Sequence, residues 1–256
     1  MKLNKLLGQV LWVLLITAVL LGVPRLGGMV ADLFDYSTID PDGAFMWLTV
    51  HHIVQALIIL VLMVILSSVI NIRFGFGWGD RKVGLLYVRI FLIVYGVYSL
   101  VSLGMIFFTK SFSIFPYPLT TRNILGQMGF QLMLTGPSEE LIFRAFAITM
   151  LGLFIQGTLI GTEQTGAKNV SSILGGALTV PNLLAAVIFG IAHMRFKLVP
   201  FSVSYSTGQV IYSIILGLFY GVCYERSKSI VYPMIMHSIT NVVAVGVSII
   251  GGFVLL

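Results

Sequence analysis

The sequence predicts an all-α, polytopic transmembrane helical bundle of about seven to eight spans. Three observations carry this expectation. Of the 256 residues, 58% are hydrophobic and only 9% are charged, whereas a soluble domain carries about 25% charged residues. The mean hydropathy is +1.03, more apolar surface than a soluble core of this size can hide, so lipid must be the solvent. Finally, the apolar runs are long, and strand-type alternation with regular turns is missing, which argues against an outer-membrane barrel.

The spans read in order as about 9–31, 46–70, 84–108, 124–156, 181–199, 208–225 and 230–255. The first follows Lys2 and Lys5 and has the outline of a signal peptide, but no small-residue cleavage site closes it, so it reads as an uncleaved span. Short connectors carry the punctuation: the acidic "DLFDYSTIDPDG", the basic and Gly-rich "NIRFGFGWGDRKVG", "TKSFSIFPYPLTTRN" with its two prolines, and the loop-like "GTEQTGAKNVSSILGG". His51 and His52 stand at the lip of the second span and read as interfacial. The fourth segment is too long for one span of about 20 residues and carries Gly136-Pro137 in its middle. It reads as one kinked helix or as an interfacial helix feeding a deeper one. With the N-terminus cytoplasmic, eight Lys and Arg (Lys168 among them) fall inside and five (Lys110 among them) outside, which mildly favours that orientation.

The net charge of +6 is scattered, as basic cytoplasmic loops require, and does not point to nucleic acid. The single Cys223 excludes an intramolecular disulfide and a cysteine metal cluster. No internal repeat is visible, which weighs against a transporter using Glu and His as a proton relay.

A charge at mid-membrane costs a few kcal/mol even on lenient scales, so polar residues inside the late spans need a reason. In "GPSEELIFR" proline suits a first helical turn, and a helix restarting near Pro137 would put Glu139 and Glu140 beside free N–H groups. Glu140 and Arg144 stand at i,i+4 and can pair, while Glu139 points about 100° away and has no partner within the helix. His193 ends "FGIAH", four residues after Phe189; His237 and Asn241 share one helical face in "HSITN". Each segment alone is compatible with a charge cluster or an amide that merely locks helices together. Together, two carboxylates, two histidines and an amide are an inventory for hydrolysis: Glu with His can activate water, and His with Asn can donate to an oxyanion. HExxH, GxSxG and Gly-rich phosphate loops are missing.

In this order the three segments resemble the CPBP family, the CAAX proteases and bacteriocin-processing enzymes also called Abi, whose motifs are EExxxR, FxxxH and HxxxN. Here they read Glu139-Glu140-Leu-Ile-Phe-Arg144, Phe189-Gly-Ile-Ala-His193 and His237-Ser-Ile-Thr-Asn241. The resemblance spans about 120–245, dividing the chain into N-terminal generic spans (1–115) and a catalytic transmembrane core (116–256). It implies a glutamate-dependent intramembrane endopeptidase in which Glu139 activates water with help from His193. His237 and Asn241 would form the oxyanion site, Glu140 and Arg144 would hold the first motif in shape, and Phe189 would pack.

The implied partners are the lipid bilayer and a peptide or protein substrate, prenylated or a leader peptide, in a prokaryotic plasma membrane. No cofactor is expected, because every motif residue has a role in a metal-free reaction. A divalent metal on Glu139, His193 and His237 remains the open variant. The alternative of a different class is a non-catalytic membrane scaffold with the same fold, acting in bacteriocin immunity or on a partner.

Overall fold

A computed structural model of the chain describes residues 2–109, 115–160, 178–197 and 199–255. Lys110, Lys168 and the loop-like segment 161–176 lie outside the described residues. Helix α1 is Lys2–Ala31, α2 Met46–Ile70 and α3 Arg81–Thr109. Helix α4 is a continuous helical path from Thr121 to Gly152 built of alternating α and π turns. Helix α5 is Val180–Ala192, α6 Thr207–Ser227 and α7 Val231–Leu255. The strands described are short hairpin pieces, β1 (Thr158–Ile160) with β2 (Leu178–Thr179) and β3 (Arg195–Lys197) with β4 (Ser202–Ser204). The bundle is all-α, as its composition predicts.

Five helices, α1, α2, α3, α6 and α7, are long and apolar enough to cross a membrane. Helix α5 corrects the expected 181–199 span. It has 13 residues, about 20 Å at 1.5 Å per residue, short of the ~30 Å hydrocarbon core. The chain turns at His193 and enters the β3–β4 hairpin, so α5 ends with its histidine at the tip.

Helix starts follow local chemistry. Thr120, Thr179 and Ser206 each accept a hydrogen bond from the backbone N–H three residues on, capping α4, α5 and α6. Asp40, at the end of the acidic connector, is buried, and its carboxylate accepts from the N–H groups of Ala44, Phe45 and Met46 at 2.8, 2.7 and 2.8 Å. It closes the otherwise open donors at the start of α2.

Helix α1 packs along α2, α5 along α6, and α7 against α3 and the middle of α4. Small residues set the close approaches. A Cβ on Gly221 would run into the amide of Asn182, which holds α5 tight on α6. A Cβ on Gly136 would meet the Ser238 backbone nitrogen at 2.8 Å, so glycine is what lets α4 and α7 touch. The outward faces carry exposed apolar side chains such as Leu14, Val61, Ile93 and Ile215, surface that only lipid covers favourably.

Candidate active site

The site is assembled on the irregular middle of α4. The chain runs as α-helix Thr121–Phe130, π turn Gln131–Thr135, α-turn Gly136–Glu140, π turn Leu141–Phe146 and α-helix Ala147–Gly152. Backbone angles at Thr135, Gly136, Glu140 and Leu141 are all right-handed helical. The expected helix restart at Pro137 therefore does not occur. The preceding π turn widens the ladder to i→i+5 and so steps over the carbonyl that Pro137 cannot serve. Glu139 and Glu140 consequently sit in the body of a helix, and their compensation must come from side chains.

That compensation is a chain of four residues. Arg144, 1% exposed, places Nε 3.1 Å from Glu140 Oε2, with Glu140 fully buried. The approach is an ion pair rather than an aligned hydrogen bond, and Arg144 Nη1 and Nη2 are buried with no acceptor. Aromatic faces take their place: the guanidinium lies 4.3 Å from the Phe189 ring centroid and 5.6 Å from that of Tyr220. The other oxygen of Glu140 accepts from Nδ1 of His237 at 2.7 Å. On the far side of the same ring, Nε2 stands 3.6 Å from Glu139 Oε2. Glu140 thus has two duties, neutralising Arg144 and fixing the orientation of His237, of which i,i+4 spacing showed only the first.

Glu139 keeps 18% of its side-chain surface exposed, whereas Glu140 keeps none. His193, His237, His52 and Arg144 all act on its carboxylate through space. His193 directs Nδ1 to the carbonyl of Phe189 at 2.9 Å. A carbonyl only accepts, so the proton is on Nδ1 and the lone pair of the neutral ring is on Nε2, the form a base requires. Phe189 is the packing hub between the motifs, with ring centroids 4.9 Å from Phe143, 4.7 Å from His193 and 5.9 Å from His237. Asn241 lies one turn beyond His237, and its Nδ2 is buried with no hydrogen-bond partner.

Two features set where His193 and His237 stand relative to Glu139. Helix α5 ends at His193, and α7 crosses α4 at Gly136.

Sequence reasoning missed a second layer. His52 is 7% exposed, not interfacial. Its Nδ1 lies 2.6 Å from Ser138 Oγ and receives Gln55 Nε2 at 2.9 Å. Gln55 also donates to Ser138 Oγ at 3.0 Å, so the residue preceding Glu139 is pinned from α2. The signal was the i,i+3 pair His52 and Gln55 inside an apolar helix. Tyr220 was missed too: its ring lies 5.5 Å from His237 and its hydroxyl pairs with Thr240 at 2.6 Å.

Among the described residues, no group of three or more His, Cys, Asp and Glu side chains is arranged to hold a metal ion. What the arrangement offers is a partly open carboxylate, a histidine with a free lone pair, a second histidine clamped between carboxylates, and an unused amide donor.

Residues 121–243 match the family model described as type II CAAX prenyl endopeptidase Rce1-like. This stretch, just under half of the chain, is similar to the CAAX proteases of that family. The match covers α4 to α7 and contains all three motifs, including every residue of the Arg144–Glu140–His237–Glu139 chain. No curated protein and no solved structure matches the chain. By length and composition the long apolar helices fit a multi-pass membrane protein.

Proposed function

We propose that this CAAX protease-like protein hydrolyses a peptide bond by direct attack of water, without an acyl-enzyme and without a metal. Water is held between the exposed oxygen of Glu139 and Nε2 of His193. Its proton passes to one of these bases as its oxygen attacks the scissile carbonyl. The resulting oxyanion is received by Asn241 Nδ2 and by His237, which Glu140 and Arg144 hold in place. The proton taken from water then goes to the leaving amine, which balances the reaction. In a site walled by helices each such hydrogen bond is stronger than in bulk water.

The observation that carries this reading is the unequal treatment of the adjacent carboxylates. Glu140 is fully buried and engaged by both Arg144 and His237, while Glu139 is partly open and faces histidine at 3.6 Å. A purely structural cluster has no use for the second carboxylate. The substrates are a membrane-associated or prenylated protein or a leader peptide, including bacteriocin-type peptides of the Abi branch, in a prokaryotic plasma membrane.

The test compares wild type and Glu139→Gln in detergent against a library of short peptides, prenylated and not, read by mass spectrometry. Cleavage should fall by about 10²–10⁴-fold in the variant, with helicity retained. Equal cleavage by both proteins, or no cleavage by wild type while Glu139→Gln still complements a deletion strain, would overturn the protease reading in favour of a scaffold.

A further inference from the structure

We infer that a cavity under the α2–α3 connector, lined by no residue of the three motifs, binds the headgroup of a phosphoamine lipid: its phosphate on Arg73 and Lys228, its primary ammonium on Glu225.

The cavity measures about 890 Å³ and is walled by the connector "RFGFG" and by the last turns of α4 and α6, with Arg73, Phe74, Thr149, Leu153, Glu225 and Lys228 in its lining. The connector is strapped down. The N–H of Ile230 donates to the carbonyl of Gly75 at 2.9 Å, and the N–H of Asp80 to that of Ser227 at 2.7 Å. The Tyr232 hydroxyl donates to the Trp78 carbonyl at 2.9 Å. Two glycines make this docking possible. Gly75 and Gly79 have φ of +70° and +50°, and a Cβ on Gly79 would collide with the Ser227 carbonyl. The cavity wall is therefore preformed.

Its charges are unspent. Among the described residues every ion pair belongs to the Glu139–His237 centre, so Arg73 and Lys228 have no carboxylate in contact. Glu225 accepts from Thr179 Oγ1 at 2.6 Å, while its Oε2 is buried with no hydrogen-bond partner. Arg226 and Lys228 act on this carboxylate only through space. A buried carboxylate oxygen without a donor is costly. The cavity thus lacks an anion for two cations and an N–H donor for one carboxylate. A phosphate accepts from Arg and Lys, and a primary ammonium has three N–H donors. A choline headgroup has the phosphate but no N–H; a glycerol headgroup has the phosphate but no cation.

Depth makes the source a lipid. The spans α2 and α6 end at Ile70 and Ser227, and α3 and α7 begin at Arg81 and Val231, so the cavity lies in the headgroup layer. Trp78, on the same connector and 54% exposed, suits that layer. Arg73, Arg81, Lys82, Arg226 and Lys228 gather in the two connectors here, which marks the cytoplasmic leaflet. Leu153 lines the cavity and is 42% exposed, giving acyl chains an apolar exit toward the bilayer.

The test is native mass spectrometry of the full-length protein released from micelles holding equal amounts of phosphatidylethanolamine, phosphatidylcholine and phosphatidylglycerol with identical acyl chains. Phosphatidylethanolamine should be retained at least about fivefold over each of the others, the worth of one charge-assisted hydrogen bond. Glu225→Gln keeps an acceptor for Thr179 and should bring the ethanolamine-to-choline ratio to about one. Arg73→Gln should lower retention of both lipids and leave their ratio unchanged. Equal retention of ethanolamine and choline lipids by wild type would overturn the ammonium contact. Phosphatidylglycerol retained as well as phosphatidylethanolamine would reduce the site to a basic patch, and an unchanged ratio in Glu225→Gln would place the selectivity elsewhere. If Glu225→Gln does not fold, Arg73→Gln with Lys228→Gln, both on exposed side chains, carries the test: undiminished retention of phosphatidylethanolamine overturns the site. Soluble glycerophosphoethanolamine at the same concentration should not displace the lipid; displacement would assign the cavity to a free phosphoamine and overturn the lipid source. No step needs turnover, so the result is independent of the protease reading.

Discussion

Replacing Glu140 by glutamine isolates what the buried ion pair does. The substitution keeps size and one acceptor oxygen but removes the charge. Two donors now compete for that oxygen, Arg144 Nε at 3.1 Å and His237 Nδ1 at 2.7 Å, and glutamine's own N–H₂ must face one of them. Whichever way the amide turns, one donor is lost. The guanidinium is left 1% exposed with only the Phe189 and Tyr220 faces for company, and removing one partner of a buried pair costs about 3–5 kcal/mol. Arg144→Met should cost a similar amount by stranding the carboxylate. The double variant Glu140→Leu with Arg144→Met strands no charge. It leaves only the His237 N–H unpaired, at about 1–3 kcal/mol, against the 6–10 kcal/mol or so that additivity of the singles would give. Unfolding in sodium dodecyl sulfate followed by circular dichroism measures all three. Single variants that cost under about 1 kcal/mol, or a double equal to their sum within about 0.5 kcal/mol, would refute the argument that Glu140 and Arg144 are electrostatically inseparable.

Four further outcomes follow from the structure. His52→Phe keeps the ring against Phe130 (centroids 5.0 Å apart) but removes the acceptor for Ser138 and Gln55; cleavage should drop about 10²-fold through kcat, with KM unchanged, as peptide kinetics will show. Asp40→Ala removes three backbone hydrogen bonds to a buried carboxylate and should destabilise the protein by about 2–4 kcal/mol, read by the same detergent titration. Gly221→Ala drives a methyl into Asn182 and should cost about 1–3 kcal/mol by overpacking α5 against α6, visible as a lower thermal midpoint. Chelation with EDTA should leave the cleavage rate unchanged; a loss restored by one specific divalent ion would replace the metal-free mechanism.

Much of this was legible in the sequence because it is local. Composition gave the solvent, and i,i+4 spacing gave the Glu140–Arg144 pair and the shared face of His237 and Asn241. What stayed hidden depends on contacts between distant segments. His52 and its neighbour His51 look interfacial at the start of an apolar run, yet His52 is buried against α4, its ring 5.0 Å from that of Phe130 and its Nδ1 2.6 Å from Ser138 Oγ. The short α5 was missed because the expected span was carried through Arg195 and Lys197 to the apolar Leu198 and Val199, although those two cations follow His193 at once. The helix start at Pro137 was misjudged for a related reason. Proline marks where a regular α-ladder must fail, and the sequence offers no sign that the ladder will widen instead of stopping.

That widening explains why adjacent glutamates meet different fates. In a regular α-helix, residues four apart are offset by about 40° around the axis. In a π turn, with about 4.4 residues per turn, the offset becomes about 33° in the opposite sense. The second π turn, Leu141–Phe146, lies directly after Glu140 and keeps Arg144 on its side of the helix, with Nε 3.1 Å from Glu140 Oε2. Glu140 is thereby taken into the protein with its cation, and Glu139, about 100° round the helix, stays at the partly open edge. The first π turn, Gln131–Thr135, ends just before Gly136, where α7 makes its closest approach, and so His237 arrives beside both carboxylates at once. An insertion or deletion of one residue in 131–135 would rotate Glu139 and Glu140 together by about 100° away from His237, while leaving hydropathy and helix length almost untouched. The register of this one segment, more than any single side chain within it, decides whether the bundle has a site.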